Sequence, residues 1–518
     1  MAKDYLLAID NGTQSIRALV FDLEGQLIAK SKVDIEPYFS KQPGWAEQDP
    51  QYFWQQLCKA CQQLWPMLAF PKSHIKAVAL TTQRATLINL DHQGKPLRPA
   101  IIWLDQRETD TPKNLKGPWK YLIKAAGSEE ILRYYRKQAE CNWIAENQPN
   151  IWRKTHKFVL LSGYHTYQLT GQYADSTAAQ VGYIPFDFKR LKWAGKRDWK
   201  WQALAVEHQQ LPKLYAPGTT IGTITPQASK LTGITEGLPL ISAGADKACE
   251  VIGSGCLSPS MGSLSYGTTA TFNTTSSKYL EAIPMLPPYP AAIPNHYNTE
   301  IIVQRGYWMV NWFKREFAQQ EEQRAKERGV AIESLFEDML NEVPAGSMGL
   351  VLQPYWSPGV RIPGPEAKGA IIGFGDVHTR AHIYRAIIEG LAYALREGKE
   401  RVEKRSGVKV DQLRVSGGGS QSDHAMQITA DIFGMPAQRP HTFETSGLGA
   451  AINAAVGAGF YPNHNTAIQR MTHPGKRFSP NPNNQLLYNQ IYQDVYQKIY
   501  PNLAPLYQAI RTITGYPA

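Results

Sequence analysis

A chain of 518 residues is too long for one hydrophobic core, and its length predicts two domains of roughly 250 residues each. Hydrophobic residues make up 43% and charged residues 19%, which is typical of a globular protein and excludes a disordered chain. The net charge of +11 comes from Lys and Arg spread along the whole chain, so it favours anionic ligands and argues against a nucleic-acid-binding protein.

The five cysteines are an odd number in a large chain, which argues against a disulfide scaffold and for a reducing compartment. Cys58 and Cys61 have redox or metal spacing, but they lie in a helical pattern with no second pair, which predicts two buried thiols. The apolar run before Asp10 is too short for a signal peptide, and no run reaches the length of a membrane span. We therefore expect a cytoplasmic protein that has no membrane partner.

The first chemical signal is a hairpin near the N-terminus. A short apolar run ends at Asp10, Asn11-Gly12 is a strong turn signal, and Ile16 begins a returning strand. Glycine lets the backbone approach a ligand closely, so N–H groups and nearby hydroxyls can surround a phosphate oxygen. An aspartate at the end of the incoming strand can hold Mg²⁺ through oxygen. An ordinary edge hairpin with polar turn residues is the alternative.

Two further apolar strands are predicted at Ile75–Leu80 and Ala100–Trp103, and each is followed by polar residues. This pattern suits an α/β domain, in which ligands bind outside the carboxyl ends of the strands. A surface ion pair between Arg84 and Asp105 is the alternative reading of those polar residues. The segment GWAEQDP at 44–50 leads into a helix that begins near Gln51.

The middle of the chain is mostly helical from Glu129 to Thr170. Residues Leu191–Trp201 alternate basic and aromatic side chains, a pattern seen in single-stranded nucleic-acid contacts, but one short segment without a repeat favours a surface loop. A strand at Leu238–Ser242 then leads to Asp246 and a helix that starts with Ala248. Asp246 is either a routine helix cap or a carboxylate exposed in a cleft.

The second half of the chain repeats the strand-turn-strand pattern of the first. The pattern from Ser263 to Phe272 predicts a strand, a turn at Gly267-Thr268 and a second strand, which suggests a duplicated domain. Residues 282–294 contain five prolines and predict an extended loop. The spacing of apolar residues predicts an amphipathic helix from Ala381 to Gly398.

A strand near Leu413 runs into three glycines, Gly417–Gly419, and then into a helix capped by Ser422. Such a triplet permits a flat base or sugar to lie against bare backbone, although a flexible loop is the alternative. The segment matches neither the dinucleotide motif nor the P-loop. The small residues of Thr445–Ala451 predict a helix that packs beside this glycine triplet.

In this order and spacing, the segments resemble the FGGY family of carbohydrate kinases over nearly the whole chain. The resemblance implies an α/β fold of two actin-like ATPase (ribonuclease H-like) domains, residues 1–255 and 256–518, with an interdomain cleft. It rests on Asp10-x-Gly-Thr-x-Ser-x-Arg17, residues 44–50, IIWLDQR at 101–107, Gly244-Ala-Asp246, Tyr266-Gly-Thr268, residues 385–398, Gly417–Gly419 and Leu448-Gly-Ala-Ala451.

The resemblance also implies roles for individual residues. Asp246 is similar to the base that accepts the proton of the hydroxyl attacking the γ-phosphate, a reaction in which positioning and charge neutralisation dominate. Asp10 and Asp246 are expected to hold Mg²⁺. The implied ATP-binding residues are Gly12, Thr13, Gln14, Ser15, Arg17, Gly267, Thr268, Gly418 and Ser422. The implied substrate-binding residues are Gln83, Arg84, Trp103, Asp246 and Lys247.

Two departures leave the substrate open. Glycerol kinases have glutamate where this chain has Ala85, and glutamine where it has Lys247, while xylulokinases have a methionine-histidine pair at Arg84-Ala85. Losing one buried hydrogen-bond partner costs on the order of 1–3 kcal/mol, enough to change specificity. We therefore expect ATP- and Mg²⁺-dependent phosphorylation of a small ketose, such as xylulose or ribulose, or of a glycerol- or erythritol-type polyol.

The alternative function is an actin-like or chaperone-like ATP switch without small-molecule kinase activity. GWAEQDP and Asp246 favour the kinase, because a switch has no need of a substrate pocket. The expected partner is the sugar or polyol itself, with no nucleic acid, and a homodimer stays open because the sequence does not give the oligomeric state.

Overall fold

The computed structural model describes residues 3–110, 115–125, 127–359 and 363–516. Residues 1–2 and 517–518, the outer ends of the two predicted domains, lie outside the described residues. The strands are β1 (Tyr5–Asn11), β2 (Ser15–Asp22), β3 (Leu27–Asp34), β4 (Glu47–Gln48), β5 (Ile75–Thr82), β6 (Leu87–Leu90), β7 (Ala100–Ile101), β8 (Lys157–Leu160), β9 (Ala174–Ser176), β10 (Phe186–Asp187), β11 (Lys192–Trp193), β12 (Lys213–Tyr215), β13 (Thr220–Thr223), β14 (Pro239–Ile241), β15 (Met261–Tyr266), β16 (Ala270–Ser276), β17 (Tyr289–Pro290), β18 (Tyr297–Val303), β19 (Val351–Gln353), β20 (Ala370–Ile372), β21 (Gln412–Ser416), β22 (Ala437–Pro440) and β23 (Pro474–Phe478).

The α-helices are α1 (Pro50–Leu64), α2 (Pro118–Ala125), α3 (Glu129–Gln138), α4 (Glu140–Asn147), α5 (Pro149–Lys154), α6 (Leu161–Thr170), α7 (Lys200–Ala203), α8 (Pro226–Thr232), α9 (Asp246–Gly253), α10 (Trp308–Phe317), α11 (Gln319–Arg328), α12 (Ile332–Glu342), α13 (Arg380–Ser406), α14 (Asp423–Phe433), α15 (Thr445–Gly457), α16 (His464–Met471), α17 (Pro482–Ile491) and α18 (Gln497–Thr514).

The first half is built on a six-stranded sheet with the order β13-β14-β5-β1-β2-β3. Strand β1 pairs antiparallel with β2 and parallel with β5, and every residue of β1 is buried. Its side chains alternate between two cores: Leu7 and Ile9 face the core that contains α1, whereas Leu6 and Ala8 face the core that contains α15. A strand covered on both faces reads as a continuous apolar run, which is the pattern before Asp10.

The second half is built on a seven-stranded sheet with the order β17-β18-β16-β15-β21-β22-β23. Here β15 pairs antiparallel with β16 and parallel with β21, which repeats the arrangement of β1 with β2 and β5. The two predicted hairpins are therefore confirmed, and each turn follows the central strand of its own sheet.

Most predicted elements are present with shifted ends. The strand expected at Ala100–Trp103 is confined to Ala100–Ile101, and the helix expected to start at Ala248 begins two residues earlier, at Asp246 itself. The predicted proline-rich loop contains the short strand β17, which adds to the edge of the second sheet.

Side chains singled out in the sequence are mostly packed inward. Cys58 and Cys61 are free and buried, as predicted. Within Leu191–Trp201, β11 and the start of α7 flank a loop in which Lys196 and Arg197 are exposed, in agreement with the predicted surface loop. The indole N–H groups of Trp193 and Trp201 donate to backbone carbonyls of Pro212 and Gly195. Across the described residues, no helix is both long and apolar enough to cross a membrane.

Helix α15 crosses from the second half of the chain to the first. It packs on α9, β1 and β5, so the prediction that it lies beside the glycine triplet is wrong. The contact with α9 is backbone to backbone: a Cβ at Gly449 would lie 1.9 Å from the Cys249 carbonyl oxygen, and a Cβ at Gly253 would lie 1.9 Å from the Thr445 carbonyl oxygen. The small residues of α15 therefore allow this close contact between the two helices.

We predict that Gly449→Ala destabilises the protein. Alanine in a helix is ordinarily stabilising relative to glycine, but here the methyl group would force the two backbones apart and lower the free energy of unfolding by at least about 2 kcal/mol. Urea denaturation followed by tryptophan fluorescence measures this. Gly195→Ala is the matched control, because a Cβ there meets no atom within 4 Å; equal stability of the two variants would contradict the prediction.

Candidate active site

A cavity of about 1130 Å³ is lined by residues of both halves, including the β1–β2 turn, the β15–β16 turn and the segment before β17. It brings together most of the predicted site residues: Gly12, Thr13, Gln14, Ser15, Arg17, Gln83, Arg84, Trp103, Asp246, Lys247 and Thr268. Four predicted residues lie outside this lining: Asp10, Gly267, Gly418 and Ser422.

Asp10 is buried at the end of β1, with 4% of its surface exposed. Its Oδ2 lies 3.3 Å from Nη1 of Arg17, which also lies 3.3 Å from Oε2 of Glu444. Burial raises the pKa of Asp10 to about 7, although Arg17 lowers it, and the Asp246 carboxylate adds to the increase. Asp10 is thus a carboxylate whose negative charge is only partly compensated.

The hairpin is supported by a histidine that the sequence did not reveal. His165 on α6 is fully buried, and its Nε2 lies 2.9 Å from Oδ1 of Asn11. Burial lowers the pKa of His165 to about 3, so the ring is neutral and donates to the amide oxygen. The amide nitrogen of Asn11 in turn donates to the Gly12 carbonyl, 3.1 Å away, which holds the turn in place.

Asp246 is the first residue of α9 and faces the cavity. The junction before it is tied to the first sheet, because the Thr81 hydroxyl donates to the Gly244 carbonyl at 2.9 Å. Burial raises the pKa of Asp246, whereas Arg84 and Lys247 both act to lower it. Its Oδ1 also accepts the Lys247 backbone N–H at 2.7 Å, which engages one oxygen of the carboxylate within the first turn of the helix.

Lys247 connects the two halves. Its Nζ lies 2.7 Å from Oε2 of Glu250 and 2.5 Å from Oγ of Ser265 on β15, and Glu250 accepts a hydrogen bond from Ser416 at 2.7 Å. Burial alone would lower the pKa of Lys247, but Glu250 and Asp246 outweigh it and raise that pKa. The ammonium group therefore stays charged and lies on the side of the second hairpin.

Gln83 and Trp103 line the other side of the cavity. Gln83 is 3% exposed, and neither the nitrogen nor the oxygen of its side-chain amide has a hydrogen-bond partner. The Trp103 indole N–H donates to the Thr13 hydroxyl at 3.1 Å, which links this wall to the first hairpin. A buried amide without partners costs free energy unless a ligand satisfies it.

Arg84 pairs with Glu300, a residue on β18 that the sequence did not single out. The Arg84 Nη1 to Glu300 Oε1 distance is 2.9 Å, and the guanidinium lies 5.0 Å from the Tyr289 ring centre. The alternative pair with Asp105 is wrong, because Asp105 binds Arg107 at 2.6 Å. Burial opposes the charge of Arg84, but Glu300 and its other neighbours raise the pKa of the guanidinium.

Ala85 stands where the chain departs from glycerol kinases. Its φ of 48° lies in the left-handed region, which is uncommon for a residue with a Cβ. Strained backbone of this kind is concentrated at ligand sites. The turn after β5 also carries Gln83 and Arg84, and all three residues line the cavity.

The three glycines are not equivalent. Gly417, with a φ of 85°, lies against the Tyr266 backbone, and a Cβ at Gly419 would lie 2.1 Å from the Tyr307 ring. A Cβ at Gly418 would meet nothing within 4 Å. Ser422 caps α14, as predicted, by accepting the Ala425 N–H at 3.0 Å. Only Gly418 is thus free of a packing requirement.

Family comparisons decide the class of this site. The model of the N-terminal domain of the FGGY family of carbohydrate kinases matches residues 5–253, and the model of its C-terminal domain matches residues 262–458. The chain belongs to the FGGY family of carbohydrate kinases. It is an ATP-dependent kinase that acts on a sugar or polyol, and the predicted family, fold class and enzyme class are confirmed.

This FGGY kinase is similar to named relatives along nearly all of its length. It is 29% identical over 499 residues to the uncharacterized sugar kinase YgcE of Escherichia coli (strain K12), covering 94% of this chain and 92% of that protein. It is 29% identical over 490 residues to a glycerol kinase of Alkaliphilus oremlandii, covering 89% and 90%. The crystal structure of ligand-bound xylulose kinase from Lactobacillus acidophilus superposes with a TM-score of 0.81 at 22% identity, covering 98% and 99%.

We predict that Asp10→Asn makes this FGGY kinase more stable at pH 8. The pKa of Asp10 rises from 3.8 to about 7 on folding, so the folded protein holds the proton more tightly and stability falls as the pH rises between these values. The Asp10→Asn variant has no charge at this position and does not lose stability in this way. In the absence of ligands, its Tm at pH 8 should exceed that of the wild type by about 3 °C or more.

At pH 4 the two proteins should melt within about 1 °C of each other, because Asp10 of the folded wild type is then protonated and, like asparagine, uncharged. A Tm difference that does not depend on pH would contradict the pKa assigned to Asp10. Asp376→Asn, on an exposed turn, is the matched control for the loss of one negative charge.

Proposed function

We propose that this kinase transfers the γ-phosphoryl group of ATP to a hydroxyl of a small polyol or ketose, with Asp246 as the general base. The observation that carries the proposal is that one cavity is lined by Asp246, by the β1–β2 turn and by Gln83, whose side-chain amide has no hydrogen-bond partner. A kinase of small alcohols requires a turn that can hold phosphate groups and, in the same cavity, hydrogen-bonding groups that can bind the alcohol.

In the proposed reaction the acceptor oxygen attacks the γ-phosphorus while its proton passes to Asp246. The bond from the γ-phosphorus to the bridging oxygen breaks, and ADP leaves with the bonding electrons. The base must be ionised, which Arg84 and Lys247 favour by acting against the effect of burial on the Asp246 pKa. Because the transition state is loose, accurate positioning of both oxygens supplies most of the rate.

The two hairpins are proposed to hold the phosphates. Gly12 and the side chains of Thr13, Gln14 and Ser15 would bind them from the first half, together with Arg17. Gly267 and Thr268 would bind them from the second half. Lys247 is 20% exposed and lies beside the second hairpin, so we propose that its ammonium group also faces the terminal phosphate, as well as the substrate.

Mg²⁺ is proposed to bind at Asp10 and Asp246. The described residues contain no group of three His, Cys, Asp or Glu side chains that would hold a metal by themselves. The two aspartates fit a Mg²⁺ ion instead, since it is commonly bound through one or two carboxylates with phosphates and water completing its shell. The ion would neutralise charge on the phosphates, and it would stabilise the ionised form of Asp10.

On the acceptor side we propose that Gln83, Arg84 and Trp103 bind the substrate. The unpaired amide of Gln83 offers one acceptor and two donors to hydroxyl groups, and the Trp103 ring offers an apolar surface to the carbon chain. Xylulose and glycerol, which are named for the similar kinases, are the first acceptors to test.

The division of the chain at residues 255 and 256 also stays a proposal, as does a cytoplasmic location. The two main sheets support this division. The strands of the first sheet lie within residues 5–241, and those of the second sheet, β15 to β18 and β21 to β23, lie within residues 261–478. The location is supported by five free, buried cysteines, which suit a reducing compartment.

We predict that ADP release rises at least about tenfold when one member of a panel of polyols and ketoses is added to the wild-type enzyme with ATP and Mg²⁺. Asp246→Asn should lower this acceptor-dependent rate by at least about 100-fold, because the hydroxyl then loses its base. A coupled assay of ADP release measures both.

Nucleotide binding by Asp246→Asn, followed by calorimetry, should remain measurable, which separates loss of chemistry from loss of fold. Asp376→Asn is the matched control and should keep the wild-type rate. Release of ADP that is independent of every acceptor would instead favour an ATP switch and would contradict the proposed function.

For the adenosine side we predict that Gly418→Ala raises the KM for ATP at least about threefold without lowering the Tm. The methyl group meets no protein atom within 4 Å, so the protein should tolerate it, whereas a nucleotide lying on the bare backbone should not. Steady-state kinetics with a fixed acceptor give the KM. An unchanged KM would remove Gly418 from the nucleotide site, and Gly195→Ala serves as the control.

A further inference from the structure

Glu300 gives the acceptor end of the cavity a carboxylate that the chain lacks at Ala85. The Glu300 side chain is 2% exposed and its Oε1 accepts a hydrogen bond from Arg84 Nη1 at 2.9 Å. Arg84 follows β5 in the first half, whereas Glu300 lies on β18 in the second half. The pair therefore spans the cavity wall, and both side chains belong to the lining.

The charges at this end do not cancel. Arg84 is the cation that faces both Glu300 and Asp246, and each carboxylate interacts with it electrostatically. Lys247 lies 2.7 Å from Glu250 and also interacts electrostatically with Asp246, so two carboxylates share this ammonium group. The acceptor end, defined by Gln83, Arg84, Trp103, Asp246 and Glu300, together with the neighbouring Lys247–Glu250 pair, thus holds three carboxylates against two cations.

Of the other cations of the lining, Arg17 and Arg401 are paired with carboxylates, whereas Arg305 bonds a neutral hydroxyl and is not among the residues that define the acceptor end. Arg17 lies 3.3 Å from both Asp10 and Glu444, Arg401 donates to Glu397 at 3.1 Å, and Arg305 donates to Ser357 at 3.2 Å. A further carboxylate brought to the acceptor end would meet like charges in a poorly solvated place, and such juxtaposition is strongly unfavourable.

We propose that Glu300 is a specificity-determining residue that selects neutral polyols and ketoses and rejects acceptors that carry a carboxylate, such as aldonic acids. This inference rests on the proposed function and names the substrate class of the same site. A neutral acceptor donates one hydroxyl to the Glu300 carboxylate and accepts from a free Arg84 N–H with another. An aldonate would instead compete with Glu300 for Arg84, and the carboxylate that it displaced would stay buried without a partner.

The test compares matched pairs of acceptors that differ only at one terminal carbon: glycerol and glycerate, xylitol and xylonate, ribitol and ribonate, and sorbitol and gluconate. The kcat/KM of each compound is measured for the wild type and for Glu300→Gln, an isosteric variant that removes only the charge. The wild type should prefer the neutral member of its best pair by at least about 100-fold. Glu300→Gln should reduce that preference at least about tenfold and should raise kcat/KM for the aldonate.

Two further variants separate this role from a structural one. In an Arg84→Gln background, Glu300→Gln should no longer raise the aldonate rate, because the guanidinium that would bind the aldonate is gone. Glu316→Gln, on the exposed face of α10, is the matched control and should leave the preference unchanged. Thermal melting of each variant verifies its fold.

The outcomes distinguish the role of Glu300 from the proposed function. An acceptor-dependent wild-type rate with a preference that Glu300→Gln leaves unchanged would overturn the role of Glu300 alone. An aldonate that is the better acceptor of the wild type would do the same. If no member of any pair and no ketose of the acceptor panel increases ADP release by the wild type, the proposed function is wrong, and the role of Glu300 is wrong with it.

Discussion

The architecture depends on the contact between α9 and α15, in which two helix backbones meet without side chains between them. Gly253 and Gly449 make this approach possible, since a Cβ at either residue would overlap a carbonyl oxygen of the other helix. Helix α9 begins with Asp246, and α15 is preceded by Glu444, which binds Arg17 of the first hairpin. This helix pair thus sets the position of Asp246 relative to Asp10. Both helices pack on the same face of β1 and β5.

A second constraint is electrostatic. Three carboxylates, Asp10, Asp246 and Glu250, lie close enough to interact: Asp246 and Glu250 both act to raise the pKa of Asp10, and Glu250 acts to raise that of Asp246. Such a cluster is costly unless cations offset it, and Arg17 and Lys247 do so from within hydrogen-bonding distance. Both cations also contact the other half of the chain, Arg17 at Glu444 and Lys247 at Ser265, so the same side chains neutralise charge and join the two halves.

Local patterns in the sequence predicted the parts of the site that lie on turns. The Asn11-Gly12 turn, the glycine triplet and the position of Asp246 after a strand all follow from nearest-neighbour chemistry, and each is present. Glu300 and His165 were missed, because their partners lie 216 and 154 residues away and no local pattern encodes such pairing. The docking of α15 was misassigned for a related reason: small residues predict a close helix contact but do not identify the partner.

The crossing of α15 also affects how the chain must fold as it is synthesised. The ribosome releases β1, β5 and α9 long before residues 445–457, so one apolar face of the first sheet lacks part of its cover until late in translation. A nascent chain with this much exposed apolar surface is prone to aggregate or to bind a chaperone. The core between the first sheet and α15 is therefore completed late, even though the strands of that sheet are synthesised early.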